Sequence, residues 1–271
     1  MTLDYDPIAS LESIGYLERE ASFLYLVAVH SGYFLRRQFC QFVQGERGAL
    51  PTRFLEKATR LHHIRVIECG RGRHIYHLKS KLVYRILDQE NSQNRRAKAD
   101  TEIKSRLMQL DYLLDHLGER FLETAERKVT FFHDKLGIPL ESLPRILYRG
   151  TGNADTQARY FVDRFPVSVE TATDAAVLVR LTYIDAGLRS ISSFARWLEE
   201  RAALLRTLKR AEVIYTADTA HNFTAAAQEF LRRFPSQSNA NECRQHAVVI
   251  RGYLLEHDYP VWSMKYRRAV L

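Results

Sequence analysis

The stretch PTRFLEKATRLHHIRVIECGRGRHIYHL, residues 51–78, decides the fold of the N-terminal part of the chain. It opens with Pro51, a residue favoured in the first turn of a helix. The apolar side chains of this helix share an arc of about 120°: Phe54, Leu55, Ala58 and Leu61. Two runs rich in β-formers, IRVIEC and HIYHL, then flank GRGR, which indicates two strands joined by a basic, glycine-bearing turn. The stretch therefore predicts an amphipathic helix followed by a hairpin.

Two further helices precede this stretch. Apolar residues recur every three and four positions over residues 17–30, and Ser31-Gly32 ends that helix. A second helix is expected over residues 34–43, with Gly45 and Gly48 breaking it. The third extends from Pro51 to about His62. Three helices followed by a two-stranded hairpin is the order of a winged helix-turn-helix, in which the third helix is sized for the major groove of DNA.

The positive charge of the chain is concentrated in this region. The formal net charge of the 271 residues is +8. Residues 33–87 hold twelve basic and three acidic side chains, a charge of +9, so the remainder carries −1. The net charge alone is compatible with three kinds of binding partner: nucleic acid, an acidic membrane surface or an acidic protein. Its location favours double-stranded DNA.

The residues expected to contact DNA lie on the second helix, the third helix and the hairpin tip: Arg36, Arg37, Thr52, Arg53, Lys57, Arg60, Arg71 and Arg73. The three cations of the third helix share an arc of about 60° away from its apolar face. The pair at the start of the second helix would bind phosphates together with free backbone N–H groups. For each of these residues the alternative is an ordinary solvated charge.

A long helix follows the hairpin region. After a short helix over residues 81–88 and a polar linker at 89–97, it is expected over residues 100–117. Its apolar residues form a heptad seam two repeats long: Ile103, Leu107, Leu110, Leu114 and Leu117. Such a seam would join two subunits of a homodimer or pack on its own domain. Residues 121–136 are also expected to be helical.

The C-terminal half has a different pattern. Strands are expected over residues 159–170 and 175–185, with Thr173-Asp174 in the turn between them, and at 212–216; helices are expected over 191–211 and 221–234. The predicted fold class is α+β. Its parts are a winged helix-turn-helix at residues 1–90, linking or dimerisation helices at 91–137 and a small α/β sheet domain at 138–271.

The chain resembles the replication-relaxation family, winged-helix proteins of plasmids and other bacterial mobile elements. The resemblance lies in the N-terminal layout down to RHIYHL, residues 73–78, and in LTYIDAG, residues 181–187, followed by a long helix and VIYT, residues 213–216. The resemblance covers about two thirds of the chain. It implies a DNA-binding transcriptional regulator or an accessory factor of replication or transfer.

The resemblance also implies a C-terminal half related to restriction endonucleases. Their chemistry requires an Asp on one strand and an acidic-x-Lys pair on the next, which hold Mg²⁺ and activate water. Asp163 fits the first acid, but Tyr183 stands where an acid is expected and Ala186, rather than a lysine, follows Asp185. We therefore expect a degenerate, non-catalytic fold with no catalytic residues. The alternatives are a Mg²⁺-dependent nuclease using Asp163 and Asp185, and a winged-helix module that binds protein.

Other classes of protein are disfavoured by the sequence. No apolar run approaches the roughly 20 residues that span a bilayer, and no secretory signal or disulfide framework is evident, so we expect a cytoplasmic protein. No cofactor motif is present. Histidines and a cysteine near the hairpin do not have chelating spacing, because strand residues three apart face opposite sides: His62, His63, Cys69, His74 and His77. The C-terminal aromatic residues Tyr259, Trp262 and Tyr266 are expected to dock on the core, with base stacking as the alternative.

Overall fold

The computed structural model describes residues 6–45, 48–70, 72–148, 157–163, 165–171, 177–187, 190–235 and 247–259. The fold class is α+β, as predicted. The chain divides into two compact units. Unit 1 comprises Met1–Asp115 and His257–Leu271, and unit 2 comprises His116–Glu256. These boundaries differ from the predicted three parts, because the chain returns to unit 1 at its C-terminal end.

Unit 1 contains six α-helices and a three-stranded sheet among its described residues. In chain order they are α1 (Pro7–Glu12), α2 (Glu18–His30), β1 (Tyr33–Phe34), α3 (Arg36–Phe42), α4 (Ala49–Arg60), β2 (Ile64–Glu68), β3 (His74–Leu78), α5 (Lys81–Ile86) and α6 (Asp100–Asp115). The sheet order is β1-β3-β2, with both pairs antiparallel. The helices predicted from apolar spacing and the hairpin predicted from β-branched residues are all present.

An aromatic cluster forms the centre of unit 1. Phe23 of α2 lies 5.1 Å from Phe39 of α3 and 6.1 Å from Phe54 of α4, measured between ring centroids. Phe39 and Phe54 stack at 4.2 Å, and all three side chains are fully buried. Because burial of a large apolar side chain contributes about 1.5–3 kcal/mol, this cluster holds the three helices in one arrangement.

Three details of unit 1 depart from the sequence prediction. Helix α4 begins at Ala49, two residues before Pro51, so the proline lies within the first turn rather than at its first position. The short helix α1, which begins after its N-cap Asp6, was not predicted. The strand β1 was not predicted either, since two residues are too few to show alternation.

The apolar seam of α6 is buried rather than free. Ile103, Leu107, Leu110 and Leu114 are at most 5% exposed, and the last two belong to the core of unit 1. Leu117 follows the end of α6 and is 51% exposed. Of the two alternatives for the seam, packing within its own unit is the one observed. A homodimer stays a prediction, and it would need another surface.

Unit 2 is built on a five-stranded mixed sheet. Its elements are β4 (Arg120–Phe121), α7 (Ala125–Val129), β5 (Arg145–Tyr148), β6 (Gln157–Tyr160), β7 (Val167–Thr171), β8 (Val177–Asp185), α8 (Ile191–Glu199), α9 (Ala202–Thr207), β9 (Arg210–Ala217), α10 (Phe223–Arg233) and β10 (Ala247–Leu254). The sheet order is β10-β9-β8-β7-β4, in which β8, β9 and β10 run parallel. Strands β5 and β6 form a separate antiparallel pair.

The strand and helix predictions for unit 2 are correct in type more often than in extent. The predicted strand over residues 159–170 is two strands, β6 and β7, and the predicted helix over 191–211 is α8 and α9 followed by the start of β9. The helix predicted over 121–136 begins later, at α7, and continues as a π-helical turn at Thr130–Lys135. The turn at Thr173-Asp174 lies outside the described residues.

Strands β4, β5 and β10 were not predicted. Strand β10 completes the sheet by pairing with β9 along its whole length. This pairing is a long-range contact, which local periodicity does not reveal.

The two faces of the five-stranded sheet differ in chemistry. Alternate residues of β8 and β9 form apolar pairs in the core of unit 2, for example Tyr183 beside Tyr215. On the other face Arg180 contacts Glu170 at 2.7 Å and Glu212 at 3.0 Å. Because successive side chains of a strand point to opposite sides of the sheet, the apolar residues lie on one face and the charged residues on the other. Within the described residues, no helix is both long enough and apolar enough to cross a membrane.

Candidate nucleic-acid interface

The outer face of α4 presents two arginines to solvent. The buried residues Phe54, Leu55 and Ala58 fix the opposite face of this helix against the core. Arg53 and Arg60 are exposed, and neither has an ion-pair partner among the described residues. At 100° per residue, seven positions return to nearly the same direction, so the two guanidinium groups project from one side of α4.

Thr52 and Arg36 extend this face toward α3. Both are exposed, and Arg36 Nη2 donates a hydrogen bond to Thr52 Oγ1 at 3.3 Å. The bond connects the first turn of α3 to the first turn of α4. Both residues therefore lie beside the outer face of α4.

Lys57, the third predicted cation of α4, is engaged inside unit 1. Its Nζ lies 2.5 Å from Oε2 of Glu20, a residue that is 1% exposed, and donates to the carbonyl of Gly15 at 3.0 Å. It also sits 5.3 Å from the ring centroid of Tyr16. This ammonium neutralises a buried carboxylate, so it is the least available of the predicted contacts on α4.

Glu56 and Thr59 also lie on the exposed side of α4. Glu56 is three residues from Arg53 and four from Arg60, the spacings at which helical side chains are neighbours. Glu56 is one of the three acidic side chains within residues 33–87, and it was not predicted to lie at the interface. The helical angle that grouped the arginines would have identified it.

Arg37 is held in a part-buried ion pair. Its two terminal nitrogens donate to the two carboxylate oxygens of Asp111 at 2.6 and 2.7 Å. Asp111 is fully buried on α6, and Tyr259 donates to its Oδ2 at 2.7 Å. Burial alone would lower the pKa of Arg37, but its hydrogen bonds to Asp111 raise it. Arg37 therefore joins α3 to α6 and to the C-terminal residues, rather than projecting freely from α3.

The tip of the β2–β3 hairpin carries Arg73. The turn contains Gly70 and Gly72 with φ of 75° and 70°, a region in which glycine carries no steric cost. The N–H of Cys69 donates to the carbonyl of Arg73 at 2.9 Å and closes the turn. Arg73 is half-buried, and its Nη1 lies 2.5 Å from Asp258 Oδ2. Arg71 lies outside the described residues.

The histidines beside the hairpin have structural partners. His63 Nδ1 lies 2.7 Å from the hydroxyl of Tyr16, and burial lowers its pKa. His77 stacks on Tyr33 with ring centroids 4.3 Å apart, and burial lowers its pKa to about 4. Within the described ranges, no three His, Cys, Asp or Glu side chains converge as a metal site would require.

Comparisons with protein-family models, with curated proteins and with solved structures found no match to this chain. The resemblance to the replication-relaxation family therefore stays a prediction. Any functional conclusion depends on the geometry of the chain itself.

The two carboxylates considered for a nuclease have different hydrogen-bond partners within unit 2. Asp163 accepts hydrogen bonds from Trp197 Nε1, at 2.7 Å, and from Arg201. Asp185 ends β8, where its Oδ2 accepts from Tyr215 at 2.5 Å and its Oδ1 from the N–H of Gly187 at 2.9 Å. Burial, and then the hydrogen bond to Asp185, raise the pKa of Tyr215.

Proposed function

We propose that unit 1 is a winged helix-turn-helix domain that binds double-stranded DNA through the outer face of α4. The order of α2, β1, α3, α4, β2 and β3 supports this assignment, since it is the order of such domains. The observation that carries the proposal is the pair Arg53 and Arg60, exposed on the face of α4 opposite its core contacts.

Each exposed polar group of this face suits one part of a DNA duplex. Arginine binds phosphate as a bidentate donor and also pairs with the O6 and N7 atoms of guanine. Thr52 and Arg36 at the start of α4 and α3 would contact the backbone beside the groove. Glu56, at the centre of the face, would accept from the amino group of cytosine and repel phosphate, so it would favour particular sequences.

Two of the residues predicted to contact DNA have a structural role in the proposed complex. Lys57 and Arg37 stabilise the arrangement of α2, α3, α4 and α6 through Glu20 and Asp111. Phosphate binding by either residue would leave a buried carboxylate without its cation, which is costly. The proposed interface therefore consists of Arg36, Thr52, Arg53, Glu56, Arg60 and the hairpin tip.

For unit 2 we propose a non-catalytic role in partner contact or dimerisation. The carboxylate oxygens of Asp163 and Asp185 already accept hydrogen bonds from protein groups, which supports this reading over a Mg²⁺-dependent nuclease. The whole chain would then act in the cytoplasm as a transcriptional regulator or as an accessory factor for replication or transfer of a mobile element. It would do so as a homodimer, without a cofactor, in keeping with the resemblance of the sequence.

Fluorescence anisotropy with a labelled duplex tests DNA binding. We expect R53A/R60A to weaken binding by about tenfold to a hundredfold at low salt, because two charge-assisted contacts are lost. The matched control is R196A/K209A, which removes two exposed cations of unit 2. Binding that is unchanged in R53A/R60A, or weakened equally in both variants, would refute the proposed interface.

Sequencing of duplexes selected by the purified protein tests readout and symmetry. One enriched motif would support sequence-specific binding, and a palindromic motif would support the homodimer, because half-sites mirror the two-fold axis of the protein. Cleavage of plasmid DNA with Mg²⁺ that is lost in D163A would instead support the nuclease.

A further inference from the structure

We define the C-terminal strap as His257–Tyr259. Its residue Tyr259 packs into the core of unit 1, to which the strap belongs. Tyr259 is 2% exposed, and its hydroxyl donates to the fully buried Asp111 at 2.7 Å. The guanidinium carbon of Arg37 lies 5.5 Å from the centroid of the same ring. A buried hydroxyl with a charged acceptor and a cation over the ring forms a firm attachment.

This attachment positions the preceding residue against the hairpin tip. Asp258 Oδ2 lies 2.5 Å from Arg73 Nη1, although the two residues are 185 positions apart in the chain. Both side chains remain accessible, with exposed fractions of 71% for Asp258 and 41% for Arg73. The contact is therefore a surface ion pair placed by a buried neighbour.

We propose that Asp258 competes with DNA phosphate for Arg73, so that the strap is an intramolecular inhibitor of the hairpin tip. This inference rests on the proposed function. Arg73 contacts one carboxylate oxygen of Asp258 through Nη1, and the same guanidinium donors bind phosphate, so the two anions compete for Arg73. Because Tyr259 holds Asp258 in place, the carboxylate competes as an intramolecular ligand at high effective concentration.

The strength of the pair suits competition rather than permanent closure. Exposed ion pairs contribute about 0.2–1 kcal/mol, which corresponds to a change in affinity of up to about fivefold. DNA that already contacts α4 would displace Asp258 at this small cost. The strap would thus weaken binding that depends on the hairpin tip, and it would act least when salt screens the pair.

The experiment measures DNA affinity of the full chain at low salt for wild type, D258N, R73A and D258N/R73A. We expect D258N to bind about two- to fivefold more tightly than wild type, R73A to bind more weakly, and D258N to have no effect in the R73A background. The control is E256Q, which removes the same charge at an exposed position two residues away. It separates loss of the pair from the general effect of one negative charge.

A second variant, Y259F, tests the contact between Tyr259 and Asp111 that holds the strap. Y259F removes the hydroxyl that donates to Asp111 and leaves Asp258 in the chain, so we expect tighter binding than wild type. Unchanged binding in D258N would overturn the inference. Weaker binding would also overturn it and would show that the pair orients the hairpin for DNA instead. The inference is also overturned if E256Q binds DNA as tightly as D258N does, or if D258N still strengthens binding in the R73A background.

Failure of the inference differs from failure of the proposed function. If wild type binds DNA through Arg53 and Arg60 while D258N equals wild type, only the inhibitory strap is refuted. If neither wild type nor D258N binds a duplex at low salt, both proposals are refuted. If D258N binds about two- to fivefold more tightly than wild type and R53A/R60A weakens binding, both are supported.

Discussion

The ammonium group of Lys57 lies in a part-buried ion pair within unit 1. Its position on α4 predicts a solvent-facing cation, yet it neutralises the buried carboxylate of Glu20. We expect K57M to lower the free energy of unfolding by about 2–4 kcal/mol, since a buried carboxylate loses its counter-charge. Urea unfolding followed by circular dichroism measures this loss.

The matched control for this prediction removes the orphaned charge as well. The double variant K57M/E20Q should recover at least half of the lost stability, because a glutamine side chain carries no charge. Its amide oxygen can still accept from the N–H of Leu17, as Glu20 does at 2.9 Å. Equal stability of K57M and wild type would mean that the ion pair contributes nothing to unit 1.

His77 makes the stability of unit 1 depend on pH. Burial lowers its pKa from 6.5 to about 4, so between these values the unfolded chain binds a proton that the folded chain does not. The contribution of this group to stability is complete above pH 6.5 and is lost as the pH falls toward 4. We expect a loss of about 2 kcal/mol between about pH 7 and pH 5 from this group.

The variant H77F tests the assignment to His77. Phenylalanine retains a ring to stack on Tyr33 and has no group that can be protonated. The stability that H77F loses between about pH 7 and pH 5 should therefore be smaller than in wild type by about 2 kcal/mol. Burial also lowers the pKa of His63, so this residue makes stability fall with pH in the same direction. We therefore expect H77F to keep some dependence of stability on pH. An unaltered pH dependence in H77F would contradict the prediction.

At the scale of elements, the end of α2 depends on a segment far along the chain. Asn94 Nδ2 donates to the carbonyls of Ala28 at 2.9 Å and Val29 at 2.8 Å, which the helix itself leaves unpaired. Gly32 follows with φ of 79°, and a methyl group there would collide with the backbone of Asn94. The helix end and the loop therefore pack without room for a side chain.

Two glycine variants separate backbone strain from this collision. G72A, at φ of 70° with open space around it, should cost about 1 kcal/mol, whereas G32A should cost about 3 kcal/mol or more. Thermal unfolding of both variants measures the difference. Equal losses would indicate that the loop moves away from α2 at no cost.

At the scale of the whole molecule, DNA binding should depend steeply on salt. Among the residues that the structure describes, four arginines are available to phosphate in the proposed complex: Arg36, Arg53, Arg60 and Arg73. Counterion release gives a slope of about −0.9 per phosphate contact, so the logarithm of the affinity should fall with a slope of about −3 to −4 against the logarithm of salt concentration. Anisotropy titrations over a salt series measure it.

The same series distinguishes phosphate contacts from base contacts. The slope of R53A/R60A should be shallower by about 2 if both arginines bind phosphate, and less so if one binds a base edge. A slope near zero for the wild-type chain would contradict binding through these residues altogether.

The sequence by itself determined the helices around the aromatic core of unit 1, the β2–β3 hairpin and the location of the positive charge. These follow from apolar spacing, β-branched runs, glycine and proline, which act over a few neighbouring residues. The short strand β1, the added strand β10 and the packing of the α6 seam did not follow, because each depends on segments distant in the chain.

The tertiary structure alone decided which cations remain free. The partners of Lys57, Arg37 and Arg73 lie 37, 74 and 185 residues away, beyond any local pattern. An acidic side chain that folding brings within hydrogen-bond distance can neutralise a cation whose spacing suits DNA. The sequence therefore supplies eight candidate contacts, and the fold leaves Arg53 and Arg60 as the exposed pair on α4.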